Sequence, residues 1–285
     1  MLRIKVEATS ANICVGFDTL GMALDISNVF CFEKNDTFSF EGFEKKYSNE
    51  NNNLVVFAYK KAFEYLKKDI IPVKISFSGD IPVSRGMGSS SSLIVAGVCA
   101  ANYFTGNTLS KDEIFSVCAN IEGHPDNVAP AIYGSLVASF KYDDKFYPNI
   151  YDVSNRLKFG VIIPDNPVST NEARGVLPKS YKREDIVNNL SRIVNIPRAF
   201  EYGDLKLIKM LFNDKIHEPY RKKLIKEYDD VKNILDKYDT ALAISGSGST
   251  MLVISYDYSY VDELLNKGYN VKKVNVGKGV DISED

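Results

Sequence analysis

The stretch that most limits what this chain can become runs from Gly79 to Phe104, GDIPVSRGMGSSSSLIVAGVCAANYF. Gly86 and Gly88 flank Met87, four consecutive serines follow, Ser89 to Ser92, and a run of small and branched apolar residues comes after them. That order predicts a loop leading into a buried helix. Glycines let backbone come close to a bulky anion, serines offer hydroxyls and a helix cap, and first-turn N–H groups point at whatever occupies the loop. A well-capped loop accounts for the glycines alone. It does not account for four serines, since one cap needs one hydroxyl and serine is a mediocre helix former. The block therefore points to a phosphate chain as occupant. It is neither a Walker loop, because no GK[ST] follows the glycines, nor a dinucleotide fingerprint, because Ser91 stands where GxGxxG begun at Gly86 needs its last glycine.

Ahead of the loop, Val73, Ile75 and Phe77 alternate with Lys74, Ser76 and Ser78, so strand, loop and buried helix form one unit. At the start of the chain Leu2, Ile4 and Val6 alternate with Arg3 and Lys5, the pattern of a half-buried strand. ATSANICVGFDTLGMAL follows, with Asn12 and Asp18 bracketing a turn around Gly16. Turn chemistry explains both residues. A carboxylate amid Val15, Phe17 and Leu20 nevertheless wants a partner, and a ligand cation is one candidate. Residues 36–50 read as a polar surface excursion, and 51–68 as a helix with an Asn-rich start.

Ser110 and Glu113 have capping-box spacing, and Ile114, Val117, Cys118 and Ile121 line one face of a helix that ends near Gly123. Glu122 then falls in the last turn, where the macrodipole disfavours an anion by about 0.3–1 kcal/mol. A surface glutamate tolerates that penalty, whereas a nearby metal ion would reverse it, and both readings stay open. His124, Asp126 and Asn127 follow directly in HPDNVAPAIYG, and this concentration of polar groups favours a site. Leu136, Ala138 and Phe140 alternate as a strand, 141–157 reads as a connection between lobes, and FGVIIP begins a new strand. The second half reads strand, loop, helices, strand, loop, strand, helix, strand. Pro164, Pro167 and Pro178 fence a loop with Ser169, Thr170 and Arg174, and the largely helical stretch 183–238 carries HEPYRKKL with Arg221. In ALAISGSGSTMLVIS a second Gly/Ser loop joins two apolar strands, either as a tight turn or as a second wall of one ligand site.

Composition excludes several classes. Lys+Arg 35 against Asp+Glu 37 gives −2 with no basic tract, so nucleic acid is not an expected partner. Four cysteines without CxxC spacing and two histidines argue against zinc. No apolar run is long enough to span a membrane, and MLRIKVEATS lacks the apolar core of a signal peptide. The expectation is a cytoplasmic protein with reduced thiols, and 285 residues allow one large domain or two lobes.

Taken in order, ATSANICVGFD, IPVSRGMGSSSS, EGHPDNVAPAIYG and AISGSGST resemble the GHMP small-molecule kinases. VSTNEARGVLP and HEPYR resemble the segments of the homoserine kinase branch, and together the blocks cover nearly the whole chain. Glu7, Cys14, Ser135 and Ser249 depart from the family pattern, without removing a side chain to which the family assigns chemistry. The resemblance implies a two-lobed α+β fold: an N-terminal lobe over 1–155, ribosomal-protein-S5-like with a left-handed βαβ unit, and a ferredoxin-like C-terminal lobe over 156–285. It implies ATP and Mg²⁺, with L-homoserine phosphorylated to O-phospho-L-homoserine on the way to threonine. A kinase of another hydroxy amino acid and a catalytically silent nucleotide or metabolite sensor are the alternatives. A homodimer is left open.

On the same basis Ser84, Arg85, Gly86, Met87, Gly88, Ser89, Ser90, Ser91 and Ser92 would wrap the ATP phosphates, with Ser90 and Glu122 on the metal. Asn12, Asp18, His124, Asn127, Thr170, Arg174 and Arg221 would line the amino-acid pocket, and Glu122, Asn127 and Arg174 would form the catalytic set. Asp18 suits an ammonium, while Arg174 and Arg221 suit a carboxylate. Asn127 stands where several GHMP kinases carry an aspartate base. An amide cannot take a proton, so catalysis would rest on positioning and charge neutralisation.

Overall fold

The computed structural model describes residues 1–284 of the chain. The alternation at its start continues beyond the first few residues, giving β1 (Leu2–Ala11), which turns through 12–19 into β2 (Leu20–Lys34). The two pair antiparallel from Leu2↔Phe32 to Ala11↔Gly21, with a register shift between Glu7 and Ala8. At that bulge the Glu7 carboxylate accepts the backbone N–H groups of Lys278 and Gly279, at 2.5 and 2.9 Å. The unusual Glu7 thus fastens a distant loop to this sheet.

Next come β3 (Ser39–Glu41), α1 (Leu54–Leu66) and β4 (Val73–Gly79), with β3 and β4 paired in parallel across the helix. Residues 36–50 are therefore more than a surface excursion, because Phe38, Phe40 and Phe43 pack against the core. Asn53 caps α1, accepting from the N–H groups of Val55 and Val56. The helices α2 (Ser89–Phe104), α3 (Lys111–Glu122) and α4 (Val128–Tyr133) follow. Apolar on all sides, α2 is buried on all sides, with Ile94 to Ala101 at or near zero exposure. Gly97 is what lets α1 lie against it, since a Cβ there would fall 2.4 Å from the Val55 carbonyl oxygen. The capping box at Ser110 and Glu113 forms as expected, and Gly123 ends α3 with φ 90°.

Strands β5 (Leu136–Tyr142) and β6 (Lys145–Tyr151) form an antiparallel hairpin through Asp143, whose φ is 52°. The stretch 141–157 is thus mostly strand rather than connection. Beyond it lie β7 (Lys158–Ile162), α5 (Thr170–Gly175), α6 (Arg183–Ile193), α7 (Ile196–Tyr202), α8 (Leu205–Leu211), α9 (Glu218–Arg221) and α10 (Tyr228–Leu235). The chain closes with β8 (Thr240–Ile244), β9 (Met251–Ser255), α11 (Val261–Asn266), β10 (Val271–Val274) and β11 (Asp281–Glu284).

Among the described residues the strands form two sheets. One runs β11-β1-β2-β4-β3, with β5 and β6 added beside β2. The other runs β10-β7-β9-β8, antiparallel throughout. Its β-α-β-β-α-β path is that of a ferredoxin-like lobe, and the whole is an α+β fold. From β10 the chain returns to the first sheet, where β11 pairs with β1. No helix among the described residues is long and apolar enough to cross a membrane.

Candidate active site

A cleft of about 390 Å³ opens at the N-terminus of α2. Gly88 is the helix N-cap, left-handed at φ 69°, and no side chain caps the helix. The expected serine cap is therefore absent, because Ser89 is already inside the first turn. First-turn N–H groups without a side-chain acceptor suit an anion. The Ser90 and Ser91 hydroxyls donate to the two carboxylate oxygens of Glu122, each at 3.0 Å. Ser92 does not join them. Its hydroxyl donates to the Ser89 carbonyl at 2.8 Å and accepts from Asn28 Nδ2 at 2.9 Å, buried beneath the loop.

Two more loop residues differ from expectation. Met87, although it borders the cleft, is 1% exposed and packs in the hydrophobic core. The Arg85 guanidinium donates to the carbonyls of Pro164 (2.9 Å), Val83 (3.2 Å) and Asp165, so it is a strut to the second lobe rather than a free phosphate ligand. The second Gly/Ser loop meets the first directly. A Cβ on Gly86 would fall 2.1 Å from the Ser245 carbonyl oxygen and 2.8 Å from Gly248 N, and Ser245 Oγ donates to the Gly86 carbonyl at 2.7 Å. Gly246 and Ser247 line the same cleft. At one side Phe43, Tyr47, Leu54, Phe77 and Leu93 give the cleft an apolar wall that the sequence reading missed. The aromatics of FSFEGF were its one trace.

Around the turn between β1 and β2 the polar residues converge. Asn12, Cys14 and Asp18 are left-handed, with φ of 68°, 52° and 53°. Asn12 Oδ1 accepts from Asp18 N at 3.0 Å, while Asn12 Nδ2 donates to the Gly246 carbonyl at 2.9 Å. Asp18, expected to await a ligand cation, is gripped by Arg174 through two hydrogen bonds of 3.0 and 2.7 Å. Arg221 is only 2% exposed and donates to the carbonyls of Gly246 (2.9 Å) and Ala173 (3.3 Å). Among the described residues no carboxylate lies at ion-pair distance from it. Burial and the neighbouring Arg174 both disfavour its charge and lower its pKa. The Phe17 ring lies 5.7 Å from the Arg174 guanidinium carbon and 5.0 Å from that of Arg221.

His124 Nδ1 lies 2.6 Å from Asp126 Oδ1. Burial works against a charge on this imidazole, but the Asp126 hydrogen bond and charge outweigh it and raise the pKa. Asp126, part of the polar cluster noted in the sequence, is buried and lines the cleft, although the resemblance placed only His124 and Asn127 in the amino-acid pocket. Asn127 Oδ1 accepts from the Thr9 hydroxyl at 2.7 Å. Thr170 opens α5, which Ser169 caps through the Glu172 N–H at 3.1 Å. All seven residues expected to line the amino-acid pocket line this one cleft, together with Glu122 and the loop from Ser84 to Ser90. Ser91 and Ser92 lie outside the lining, Ser91 still touching Glu122.

The donors at the loop mouth, a carboxylate and hydroxyls, suit a hard cation. Asp18, His124 and Asp126 also place ligand atoms within 4.8 Å of one another. Their pairing with Arg174 and with each other makes that trio an ion-pair network.

Comparison with known proteins gives a consistent result. The sequence profile "GHMP kinases N terminal domain" matches residues 53–135, and "GHMP kinases C terminal" matches 198–271. The chain is 38% identical to a homoserine kinase of Clostridium botulinum (strain Okra / Type B1) over 98% of its own length and 97% of the relative. A homoserine kinase of Clostridium acetobutylicum is 39% identical, over 89% of this chain and 87% of the relative. The crystal structure of homoserine kinase from Cytophaga hutchinsonii superimposes with a TM-score of 0.88 at 26% identity, covering 99% of this chain and 97% of that one.

Proposed function

The chain belongs to the GHMP kinases, in their homoserine kinase branch, and from that membership we propose that it transfers the γ-phosphoryl group of ATP to the side-chain hydroxyl of L-homoserine. One observation carries the acceptor half: Arg221, a nearly fully buried guanidinium at the cleft, has backbone carbonyls but no carboxylate as partners. A desolvated cation in that condition favours an arriving anion. An amino acid supplies a carboxylate for Arg221 and Arg174 and an ammonium for Asp18, and its hydroxyl then extends toward the Ser/Gly loop.

The donor half rests on the bare N-terminus of α2 and the glycines before it. There the backbone N–H groups of the first turn hold the phosphates, and the apolar wall around Phe43 and Tyr47 takes the base. Glu122 and Ser90 fit Mg²⁺, which when bound would neutralise charge on the transferred group. Asn127 accepts from Thr9 through its Oδ1, which turns the amide N–H₂ group away from Thr9. An amide cannot remove the hydroxyl proton, so this chain accelerates transfer by alignment and charge compensation.

The test is a coupled assay of ADP formation with and without L-homoserine, with the product identified as O-phospho-L-homoserine by mass and ³¹P spectroscopy. Equal turnover with L-threonine or other hydroxy amino acids would remove homoserine as the specific acceptor. Absence of phosphoryl transfer to every acceptor in such a panel would leave a binding protein.

A further inference from the structure

The HEPYR segment holds a residue that the reading above leaves without a role. His217 stands just before α9 and is fully buried. Its Nε2 lies 2.6 Å from the Cys14 carbonyl oxygen. A carbonyl only accepts, so Nε2 carries the proton and Nδ1 the lone pair. Nδ1 is buried with no hydrogen-bond partner among the described residues. The imidazole stacks on Phe17, with centroids 5.5 Å apart and planes 26° from parallel. That same Phe17 ring lies near both the Arg174 and the Arg221 guanidinium groups.

His217 is itself held firmly. Asp214 Oδ2 accepts its backbone N–H at 2.7 Å together with those of Ile216 (3.1 Å) and Glu218 (2.7 Å). The turn it touches needs holding, because Asn12, Cys14 and Asp18 are left-handed without being glycine. Such residues persist only where their surroundings fix them. Charged groups also face the ring: Asp214 from its own segment, Arg221 from α9 and Asp18 from the turn.

We infer that His217 is a positioning residue for the acceptor half of the site. Its Nε2–H pins the Cys14 carbonyl and its ring backs Phe17, which sets where Asp18, Arg174 and Arg221 present their charges to a zwitterionic hydroxy amino acid. The inference rests on the proposed reading of the cleft. It makes no contact with the nucleotide loop, so its effect is one-sided.

His217→Phe keeps a ring and loses the donor, whereas His217→Gln keeps an N–H donor on a flat group. His217→Phe is expected to raise KM for L-homoserine about tenfold while KM for ATP stays within about twofold, and His217→Gln to recover most of that loss. Equal rises in both KM values, or no advantage of Gln over Phe, would overturn the inference. A measurement on the wild type covers the case in which His217→Phe does not fold. With only two histidines in the chain, a ¹⁵N-histidine spectrum separates them. One imidazole should be neutral with Nε2 protonated, keep that form to a lower pH than the other histidine, and shift with L-homoserine but not with a non-hydrolysable ATP analogue. A ring that carries its proton on Nδ1, or one indifferent to the acceptor, also overturns it. Wild type that ignores L-homoserine defeats the functional reading instead, and the same shifts are then read with whichever hydroxy amino acid it phosphorylates.

Discussion

Arg174 and Asp18, 156 residues apart in sequence, face each other through two parallel hydrogen bonds of 3.0 and 2.7 Å at the mouth of the cleft. In the proposed reaction each is promised to a different end of the acceptor, so each fills the other's place before the acceptor arrives. A ligand with both an ammonium and a carboxylate replaces both partners at once. One with a single charge frees a partner without satisfying it.

The first prediction follows from that exchange. The two side chains are 37% and 35% exposed, and an ion pair in such surroundings contributes about 0–1 kcal/mol. Asp18→Asn and Arg174→Ala should therefore leave the thermal midpoint nearly unchanged. A charge-assisted hydrogen bond is worth about 1.5–3 kcal/mol, so each should lower kcat/KM for L-homoserine roughly ten- to hundredfold. Calorimetric melting beside steady-state kinetics separates the two effects, and a large drop in midpoint for either variant would contradict the assignment.

Arg221 should behave differently. It is buried and donates to the Gly246 and Ala173 carbonyls, so Arg221→Ala removes structural hydrogen bonds as well as an acceptor contact. A stability loss of about 1–3 kcal/mol is expected on top of the kinetic loss. Denaturant titration of Arg221→Ala against Arg174→Ala checks the contrast, which fails if the two variants are equally stable.

Glu122 and Ser90 give the third. Glu122→Gln removes the charge while keeping one oxygen acceptor for the serine hydroxyls, and kcat is expected to fall about a hundredfold with a higher Mg²⁺ requirement. Ser90→Ala should cost roughly tenfold. Gly88 is unsuitable for this purpose, because a Cβ there would fall 2.0 Å from Thr9 Oγ1 and φ is 69°, so substitution perturbs the fold itself. Mg²⁺ titration of turnover decides, and an unchanged titration for Glu122→Gln would remove it from the metal.

The fourth concerns pH. Burial pushes the Glu218 carboxyl up to about 8, against a backbone N–H from Ile244 at 2.8 Å that works the other way. The folded state therefore holds this proton more tightly than the unfolded state, whose carboxyl titrates near its ordinary value of 4.5. Stability from this group is full below the unfolded value and is lost as pH rises toward the folded one, by about 1.4 kcal/mol per pH unit at most. Glu218→Gln keeps an acceptor for Ile244 and needs no proton. Its thermal midpoint should fall less than that of the wild type between pH 5 and about 8, and parallel curves would refute the assignment.

The strand–loop–helix unit from Val73 to Phe104 was legible because glycines and serines in that order have few physical uses, and Glu122 because an anion at a helix C-terminus has no local reason to be there. The two signals meet in the structure as the serine–carboxylate hydrogen bonds. The Asp18–Arg174 pair was not legible, since no periodicity links residues so far apart. Strand β6 escaped because Phe146 is its only buried residue, so its two faces carry no contrast. The aromatic wall escaped because Phe43 and Tyr47 sit among lysines and glutamates, where local polarity hides a cleft made by tertiary contact. The engagement of the Arg85 guanidinium was hidden for a related reason. Sequence shows a cation beside a phosphate loop and cannot show that carbonyls of the other lobe have already claimed it.

The return of β11 to the edge of β1 has a consequence for how the protein is made. Strand β1 leaves the ribosome well before residues 281–284, for which one of its edges waits. At a translation rate of about 5–20 residues per second, that edge stays open for on the order of tens of seconds. An open strand edge is a template for pairing with other chains. Arg3 and Lys5 sit along it, so nascent copies on neighbouring ribosomes would meet like charge before they could zip together.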